Sequence, residues 1–445
     1  MAKNIFLIGA GHSTTILIKY LLDVCAKNSW RLVVGDSDLK VAAKKLDNNP
    51  NGEAILFDVK NQDDLINRVN SADIVISMLP ASLHGLVAKA CLQQGVHLLT
   101  ASYLNKELNE MNEAAIQQDL IMLYECSLDP GIDHMSALKV LDEIRENGGV
   151  ITGFESFTGG LLAPNSDDNP WKYKFTWNPR NVVLAGQGVV KFIQEGRYKY
   201  IPYGKLFRRI ELIHIPDYGY FEGYANRDSL KYREMYRLED IKTMYRGTLR
   251  RPGFCKAWNI FIQLGATDDT YQLEGVGKMT HRQFVNSFLS YNPNDSVELK
   301  LAHYMNLDIE GEEMHKLQWL EIFSDELIGL EEGTPAQILE HILRKKWTMK
   351  ENEGDMIVMW HKFNYQENGL AKERHATLVS IGKDQNETAM AKTVGLPLGI
   401  AAKLILTNVI KTRGVCAPTQ KDIYEPILEE LINDHEVIFV DTHIS

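Results

Sequence analysis

The chain has 445 residues, 44 % of them hydrophobic, which is long enough for two or three domains with their own cores. A formal net charge of −11 and the lack of any Lys/Arg cluster argue against nucleic acid as a partner, since phosphate contacts need a concentrated basic footprint. Five scattered cysteines without paired spacing suit a reducing compartment and exclude a cysteine-based metal site, and neither a signal-peptide pattern nor an apolar run long enough to span a bilayer is read; the expected setting is the cytoplasm, with no membrane partner and no metal.

Ile5 to Ile8 reads as a buried strand, followed by Gly9-Ala-Gly11-His12-Ser13-Thr14-Thr15 and the apolar-periodic Ile16 to Leu22. This is the strand, glycine turn and helix order that a dinucleotide needs: Gly9 permits the turn, and Gly11 lets backbone amides approach a pyrophosphate at a helix N-terminus. Thr14 stands where the fingerprint has its third glycine, and a two-glycine turn alone is a weak signal. The second strand, Arg31 to Asp36, ends in an acid roughly ~20 residues on, where a carboxylate bonds ribose hydroxyls and repels a 2′-phosphate. Asp36 therefore points to NAD over NADP, with Asp38 as a rival and a solvated turn as the alternative.

Alternation continues through Ala54 to Val59, helix-like Asp64 to Val69, Asp73 to Pro80, helix-like Leu83 to Gln93 and His97 to Tyr103, which favours a parallel, doubly wound sheet. Asp58 at a strand end suits an adenine amine, and Met78-Leu79-Pro80 suits a cover over the nucleotide; both are also ordinary at strand ends. The run Leu120 to Tyr124 reads as a further strand, and Asp129-Pro130-Gly131 turns it into a helix from Ile132 to Ile144. Asp129 is thereby expected at a strand end above the opening amides of that helix, the place where open α/β sheets hold ligands. An N-cap is the bland reading. His134, one helical turn on, reads as a packed or capping histidine.

Beyond Ile144 the pattern changes to strands separated by loops. Ser156 to Arg180 reads as a long structureless stretch, and such loops are usually functional. Gly223 to Ser229 and Tyr245 to Gly253 carry arginines beside turn residues. Arginine's planar fork suits bidentate carboxylates, so the two clusters suggest a small-molecule substrate with several carboxylates. Thr280 to Arg344 reads as helical. Asp355 to Trp360 and Ala376 to Ile381 read as paired strands, and Thr388 to Val409 as a long small-residue helix that packs tightly, with Lys392 and Thr393 as candidates to approach the cofactor. Asp422 to Leu431 is expected to pack back on the nucleotide half.

Leu128-Asp-Pro-Gly-Ile-Asp-His134, Thr158-Gly-Gly-Leu-Leu-Ala-Pro164 with Asp168-Asn-Pro and Tyr173-Lys-Phe-Thr-Trp177, Asn226-Arg-Asp-Ser229, Arg246-Gly-Thr-Leu-Arg250 and Ala391-Lys-Thr-Val-Gly-Leu-Pro397 run in order along nearly the whole chain. In these motifs the sequence resembles the saccharopine dehydrogenase family, L-glutamate-forming. The stretches Asp355 to Met359 and Ile423 to Ile427 are most similar to the dehydrogenase half of the bifunctional lysine-degrading enzyme of animals. The resemblance implies a cofactor, NAD by preference or NADP, over His12, Ser13, Thr14, Thr15, Asp36, Asp58, Val59, Leu79, Ala101 and Ser102, with Leu128, Asp129 and Asn178 near its nicotinamide end. Substrate contacts are implied at Ser102, Tyr103, Asp129, Arg227, Thr248, Leu249 and Arg250, with Asp129 catalytic. Thr158 stands where the family often has cysteine, and Asn178 where it has serine.

The expected fold is α/β: a Rossmann-type doubly wound parallel sheet over residues 1–125, an inserted α+β substrate and dimerisation domain over 126–390 with a helical subdomain around 270–350, and C-terminal helices over 391–445 returning to the first domain. The expected partner is a second copy of the chain. The expected reaction is NAD(P)-dependent oxidation of saccharopine with water to L-glutamate and 2-aminoadipate 6-semialdehyde, or its reverse. Asp129 handles protons or stabilises iminium charge, while Arg227 and Arg250 clamp carboxylates. A related opine- or polyamine-forming reductase and a non-catalytic nucleotide-binding regulator are the alternatives. The first would need acidic groups around a cationic substrate, which the arginine clusters oppose.

Overall fold

A computed structural model describes residues 2–444, which divide into two compact units. Of the described residues, the first comprises 2–151, 365–372 and 378–444, and the second 152–364 and 373–377.

In the first unit, apolar β-branched runs form β1 (Asn4–Ile8), β2 (Arg31–Asp36), β3 (Gly52–Leu56), β4 (Ile74–Ser77), β5 (His97–Thr100) and β6 (Ile121–Leu123). With the strand Gly414–Cys416 they make a seven-stranded sheet in which β1 lies between β2 and β4 and all six neighbouring pairs are parallel. Its strands are continuous hydrophobic runs because helices cover both faces. On one face Phe6, Val75, Leu98, Met122 and Val415 share a core with Leu65, Val87 and Cys91. The crossovers are α1 (Thr15–Asn28), α2 (Leu39–Leu46), α3 (Gln62–Asn70) and α4 (His84–Gln94). Between β1 and β4 the strand order reverses, and such a switch point is where a dinucleotide lies in this architecture.

The 18-residue helix Ala389–Leu406 is long and apolar enough, by length and composition, to cross a bilayer, which corrects the reading that no such run exists. Its apolarity is explained by burial against α1: a Cβ added at Gly395 would stand 2.9 Å from Leu17 Cβ, and one at Gly399 2.5 Å from the Tyr20 ring. Thr14 occupies the place of the third glycine of the turn, and the close approach to α1 is supplied instead by glycines of this distant helix. The helix Lys421–His435 packs on the helix Ile132–Glu146, where Tyr424 Oη donates to Asp142 Oδ2 at 2.8 Å. That packing keeps Ile132–Glu146 with the first unit, so the compact units divide near residue 151 and not at the expected 125.

The second unit is built on a mixed sheet. The strands of this sheet that supply residues to the unit are β7 (Val150–Leu162), β8 (Val189–Gln194), β9 (Arg197–Pro202), β10 (Ile210–Ile215), β11 (Gly219–Ala225), β12 (Thr243–Arg250), β13 (Asp355–Glu367) and β14 (Leu370–Ile381). The order runs β10-β11-β12-β7-β13-β14, with β8 and β9 branching from β12. Ser156 to Leu162, expected as loop, is the end of the 13-residue β7. Its glycines read as loop residues, but Gly159 is there because a Cβ would lie 2.6 Å from the Leu249 carbonyl of the neighbouring strand. The helical subdomain starts earlier than expected, at Phe254–Leu264, whose first amides are capped by Glu222: its carboxylate accepts from Gly253 N at 2.7 Å and Cys255 N at 2.9 Å. Trp171, Tyr173, Phe254, Trp258 and Trp347 form the aromatic core of this unit.

Candidate functional site

The glycine turn is built as the spacing requires. Gly9 has φ +98°, and a Cβ there would meet the Met78 carbonyl at 2.9 Å; Gly11 is extended, and a Cβ there would point into open space. His12–Thr14 makes a 3-10 turn into α1, with His12 exposed, Ser13 and Thr15 half-buried and Thr14 buried. A helix start beneath an open glycine is suited to a pyrophosphate, so the residues present fit a dinucleotide. Asp36 closes the turn from β2: its Oδ2 accepts from Ala10 N at 2.6 Å and its Oδ1 from Asp38 N at 2.9 Å. The rival, Asp38, is the N-cap of α2, accepting from Lys40 N at 2.9 Å. Lys45, absent from the expected set, reaches back from α2 to donate to the Gly11 carbonyl and to Thr14 Oγ1, the latter at 3.1 Å. Burial pushes its ammonium pKa down to about 8, against the raising pull of Asp36.

Asp58 lies just beyond β3, exposed, with Oδ1 accepting from Lys60 N at 2.9 Å, and Val59 is buried beside it. Leu79 is half-buried after β4. Ala101, Ser102 and Tyr103 follow β5 and are all half-buried. Ser102 is held from two sides: its carbonyl accepts from Glu125 N at 3.0 Å, and its hydroxyl lies 2.6 Å from Nε2 of the buried His84. His84 opens α4, and no expectation included it. The available signal was a histidine in the first turn after a strand ending in Ser-Met-Leu-Pro.

The stretch after β6 encloses a buried acid and histidine pair. Glu125 Oε2 meets His134 Nε2 at 2.8 Å, while Glu125 Oε1 accepts from Leu104 N at 3.0 Å. His134 is thus a packed histidine, as read. Asp133 Oδ1 accepts from Gly131 N at 2.6 Å, while Gly131, the residue before the helix, leaves it without a side-chain N-cap. Gly131, at φ +148°, admits no side chain, since a Cβ would lie 2.1 Å from the Ser127 carbonyl oxygen. Every residue from Leu120 to Leu138 is buried, Leu128 included, except Asp129, which is half-exposed beside a cis Asp129-Pro130 bond. The fold therefore leaves one carboxylate of this stretch accessible.

In the second unit Arg250 ends β12 and is 4 % exposed, with its guanidinium 5.0 Å from the Tyr173 ring centroid and 5.4 Å from that of Phe254. Nη1 donates to the Leu249 carbonyl at 2.9 Å, whereas Nε has no partner, and among the described residues no carboxylate lies within ion-pair distance of it. The Thr158 and Thr176 hydroxyls and the Tyr173 Oη are also buried without partners. Thr158 faces Thr248 across β7 and β12. Leu249 is fully buried against Gly159. Arg227 is exposed, in the left-handed region at φ 52°, beyond the end of β11. Asn226 N bonds the Arg246 carbonyl, so Arg227 lies toward the start of β12 and Arg250 at its end. In that register Arg227 is level with Tyr245, five residues before Arg250, roughly 16 Å at ~3.3 Å per residue. Asn178 caps the short helix Pro179–Val183, accepting from Arg180 N at 3.0 Å. Thr393 does not reach outward: it is buried and donates to Ala389 O of its own helix at 2.8 Å, while Lys392 is half-buried.

Residues 5–123 match the family model of the saccharopine dehydrogenase NADP binding domain, and residues 127–436 that of the saccharopine dehydrogenase C-terminal domain. The chain is 32 % identical over 441 residues to saccharopine dehydrogenase [NADP(+), L-glutamate-forming] of Schizosaccharomyces pombe, covering 97 % of each chain. It is 32 % identical over 442 residues to the mitochondrial alpha-aminoadipic semialdehyde synthase of Rattus norvegicus, covering 96 % of this chain and 46 % of that protein, so it spans about half the length of that relative. The structure of apo saccharopine dehydrogenase (L-Glu forming) from Saccharomyces cerevisiae superposes with a TM-score of 0.90 at 28 % identity, covering 100 % of both chains. Homospermidine synthase from Legionella pneumophila, at TM-score 0.55 and 10 % identity, shares the fold alone.

Proposed function

Because the chain belongs to the saccharopine dehydrogenase family, we propose that it oxidises saccharopine with a nicotinamide dinucleotide and water to L-glutamate and 2-aminoadipate 6-semialdehyde, or runs the reverse. The observation that carries the reading is Arg250, a buried guanidinium among aromatic rings with an unpartnered Nε and no carboxylate beside it. A buried charge without a counter-charge is costly, so the site is completed by an anionic ligand. Saccharopine carries three carboxylates, at both ends and beside the bridging nitrogen. A spacing of roughly 16 Å between the levels of Arg227 and Arg250 leaves room for an extended ligand with anionic groups at its two ends.

A dinucleotide held over the glycine turn would supply the hydride acceptor for the lysine-derived carbon next to the bridging nitrogen. What remains falls to the chain. The imine gains water, and the adduct collapses to the amine of glutamate and an aldehyde, with one proton released. Asp129, the accessible carboxylate of its stretch, accepts and returns protons in these steps and balances iminium charge. Arg250 and Arg227 hold carboxylates, and β12 at Thr248 and Leu249 orients the chain between them.

For the cofactor we propose turnover with either dinucleotide and a preference for NAD. Asp36 supports that preference, because its carboxylate braces the turn where a 2′-phosphate would approach. The test is absorbance of the reduced cofactor with saccharopine and NAD, then NADP. Prompt turnover is expected with both and a higher kcat/KM with NAD; silence with saccharopine defeats the assigned reaction, and a clear NADP preference defeats the role given to Asp36. We also propose a homodimer through the edge strand β10 and its neighbour β11, where Leu212 and Tyr220 respectively are 65 % and 58 % exposed. Sedimentation at micromolar concentration should return twice the chain mass of 50.6 kDa, and a monomer would refute it.

A further inference from the structure

The C-terminal ends of β4 and β5 place a histidine and three hydroxyls in one buried knot. His84 is 2 % exposed; its Nδ1 lies 2.9 Å from Ser77 Oγ and its Nε2 2.6 Å from Ser102 Oγ, with Thr100 Oγ1 at 3.5 and 3.4 Å from the two nitrogens. Ser77 and Thr100 are fully buried, whereas Ser102 is half-buried and so has one side toward the knot and one toward the surface. No charged side chain sets the state of the ring: burial lowers its pKa to about 4, and the Leu79 backbone pulls the other way. The imidazole is therefore neutral near pH 7, with one N–H and one lone pair to distribute.

The two distances distribute them. An N–H donor to oxygen spans roughly 2.7–3.2 Å, so a shorter contact is left to the hydroxyl as donor. The 2.9 Å contact fits Nδ1–H donating to Ser77, and the 2.6 Å contact fits the Ser102 hydroxyl donating to Nε2. We propose that His84 is a positioning residue which takes the hydroxyl proton of Ser102, so that Ser102 Oγ meets a bound ligand purely as an acceptor. Ser102 then recognises an N–H or O–H donor, supplied either by the dinucleotide or by the amino-acid substrate. A serine free to rotate would satisfy donors and acceptors alike, and this one cannot. The inference rests on the proposed reaction only for the second of those two sources.

The test combines a proton assignment with a double-mutant cycle on the full chain. In 15N-histidine-labelled protein at pH 7, the resonances lost in His84→Gln should show protonated Nδ1 and unprotonated Nε2; a proton on Nε2 overturns the proposal. Reduced-dinucleotide affinity is read by fluorescence and KM for saccharopine by initial rates, with thermal melting as the folding control. Ser102→Ala and His84→Gln should each weaken the same ligand about tenfold, and His84→Gln should add nothing further in the Ser102→Ala background. Weakening confined to the dinucleotide assigns the donor to the cofactor, and weakening confined to KM assigns it to the substrate; equal and additive losses overturn the proposal. If wild-type protein fails to turn over saccharopine, the reaction falls, while the proton assignment and the dinucleotide titration still decide the role of His84.

Discussion

The carboxylate of Asp36 accepts the amide proton of Ala10 at 2.6 Å, joining the end of β2 to the middle of the glycine turn. The acid fixes the backbone of the turn, and in the proposed role it also sets negative charge where an adenosine 2′-substituent would lie. Asp36→Asn keeps much of the size and loses the charge. The expected result is a fall of about tenfold in the NAD over NADP ratio of kcat/KM, near 1.4 kcal/mol, with some loss of affinity for both. An unchanged ratio would place the discrimination elsewhere.

Arg250→Lys keeps a positive charge and removes the planar fork. Charge-assisted, bidentate contacts are worth about 1.5–3 kcal/mol each, so KM for saccharopine should rise by one to two orders of magnitude with dinucleotide affinity little changed. Parallel loss of both would indicate a folding defect in the buried aromatic core.

Asp129→Asn removes the charge of the one acidic residue between Leu120 and Leu138 that is not buried. General acid–base contributions of about 10²–10⁴ set the expected fall in kcat, with binding of reduced dinucleotide retained. Wild-type turnover across the pH range would remove Asp129 from the chemistry.

Gly395→Ala tests the helix contact that stands in for the third glycine. A Cβ there would lie 2.9 Å from Leu17 Cβ and 3.0 Å from Leu17 N, and the backbone cannot yield as a side chain does. Overpacking costs about 1–3 kcal/mol, and the helix gains about 1 kcal/mol from losing a glycine. A net destabilisation of up to about 2 kcal/mol is expected in urea unfolding; net stabilisation would mean that the helices separate freely.

Acid should weaken the fold well above the range of ordinary carboxylates. Burial lowers the pKa of His84 to about 4, and it also lowers His97, His281, His375 and His435. The unfolded chain therefore binds more protons below about pH 6.5. The stability from keeping these rings neutral is complete above that pH and is lost as pH falls toward 4, by roughly 3 kcal/mol for His84 alone. Urea midpoints at pH 7.5 and pH 5 should differ in that direction, and equal midpoints would contradict it.

The nucleotide half was legible because its signals are local. Gly9, Gly11 and Asp36 sit at fixed offsets on strands with unbroken apolar runs, and the structure puts them together. Asp129 was legible from a turn motif beside a strand. The residues that escaped act through distant partners: Lys45 on the Gly11 carbonyl, His84 between Ser77 and Ser102, and Glu222 beneath the helix Phe254–Leu264. Nothing in their near neighbours marks them. Gly159 misled for the same reason. It reads as a loop residue until the Leu249 carbonyl of the adjacent strand is in view.

The contact of Gly395 with Leu17 also bears on how the protein is made. The ribosome releases the glycine turn first and the helix that must lie against α1 some 370 residues later, after the entire second unit. At about 5–20 residues per second, the newborn turn waits on the order of tens of seconds for its buttress. The middle of the chain thus has time to fold while the beginning is unfinished, and a nascent chain halted before Ala389 should be unable to retain dinucleotide.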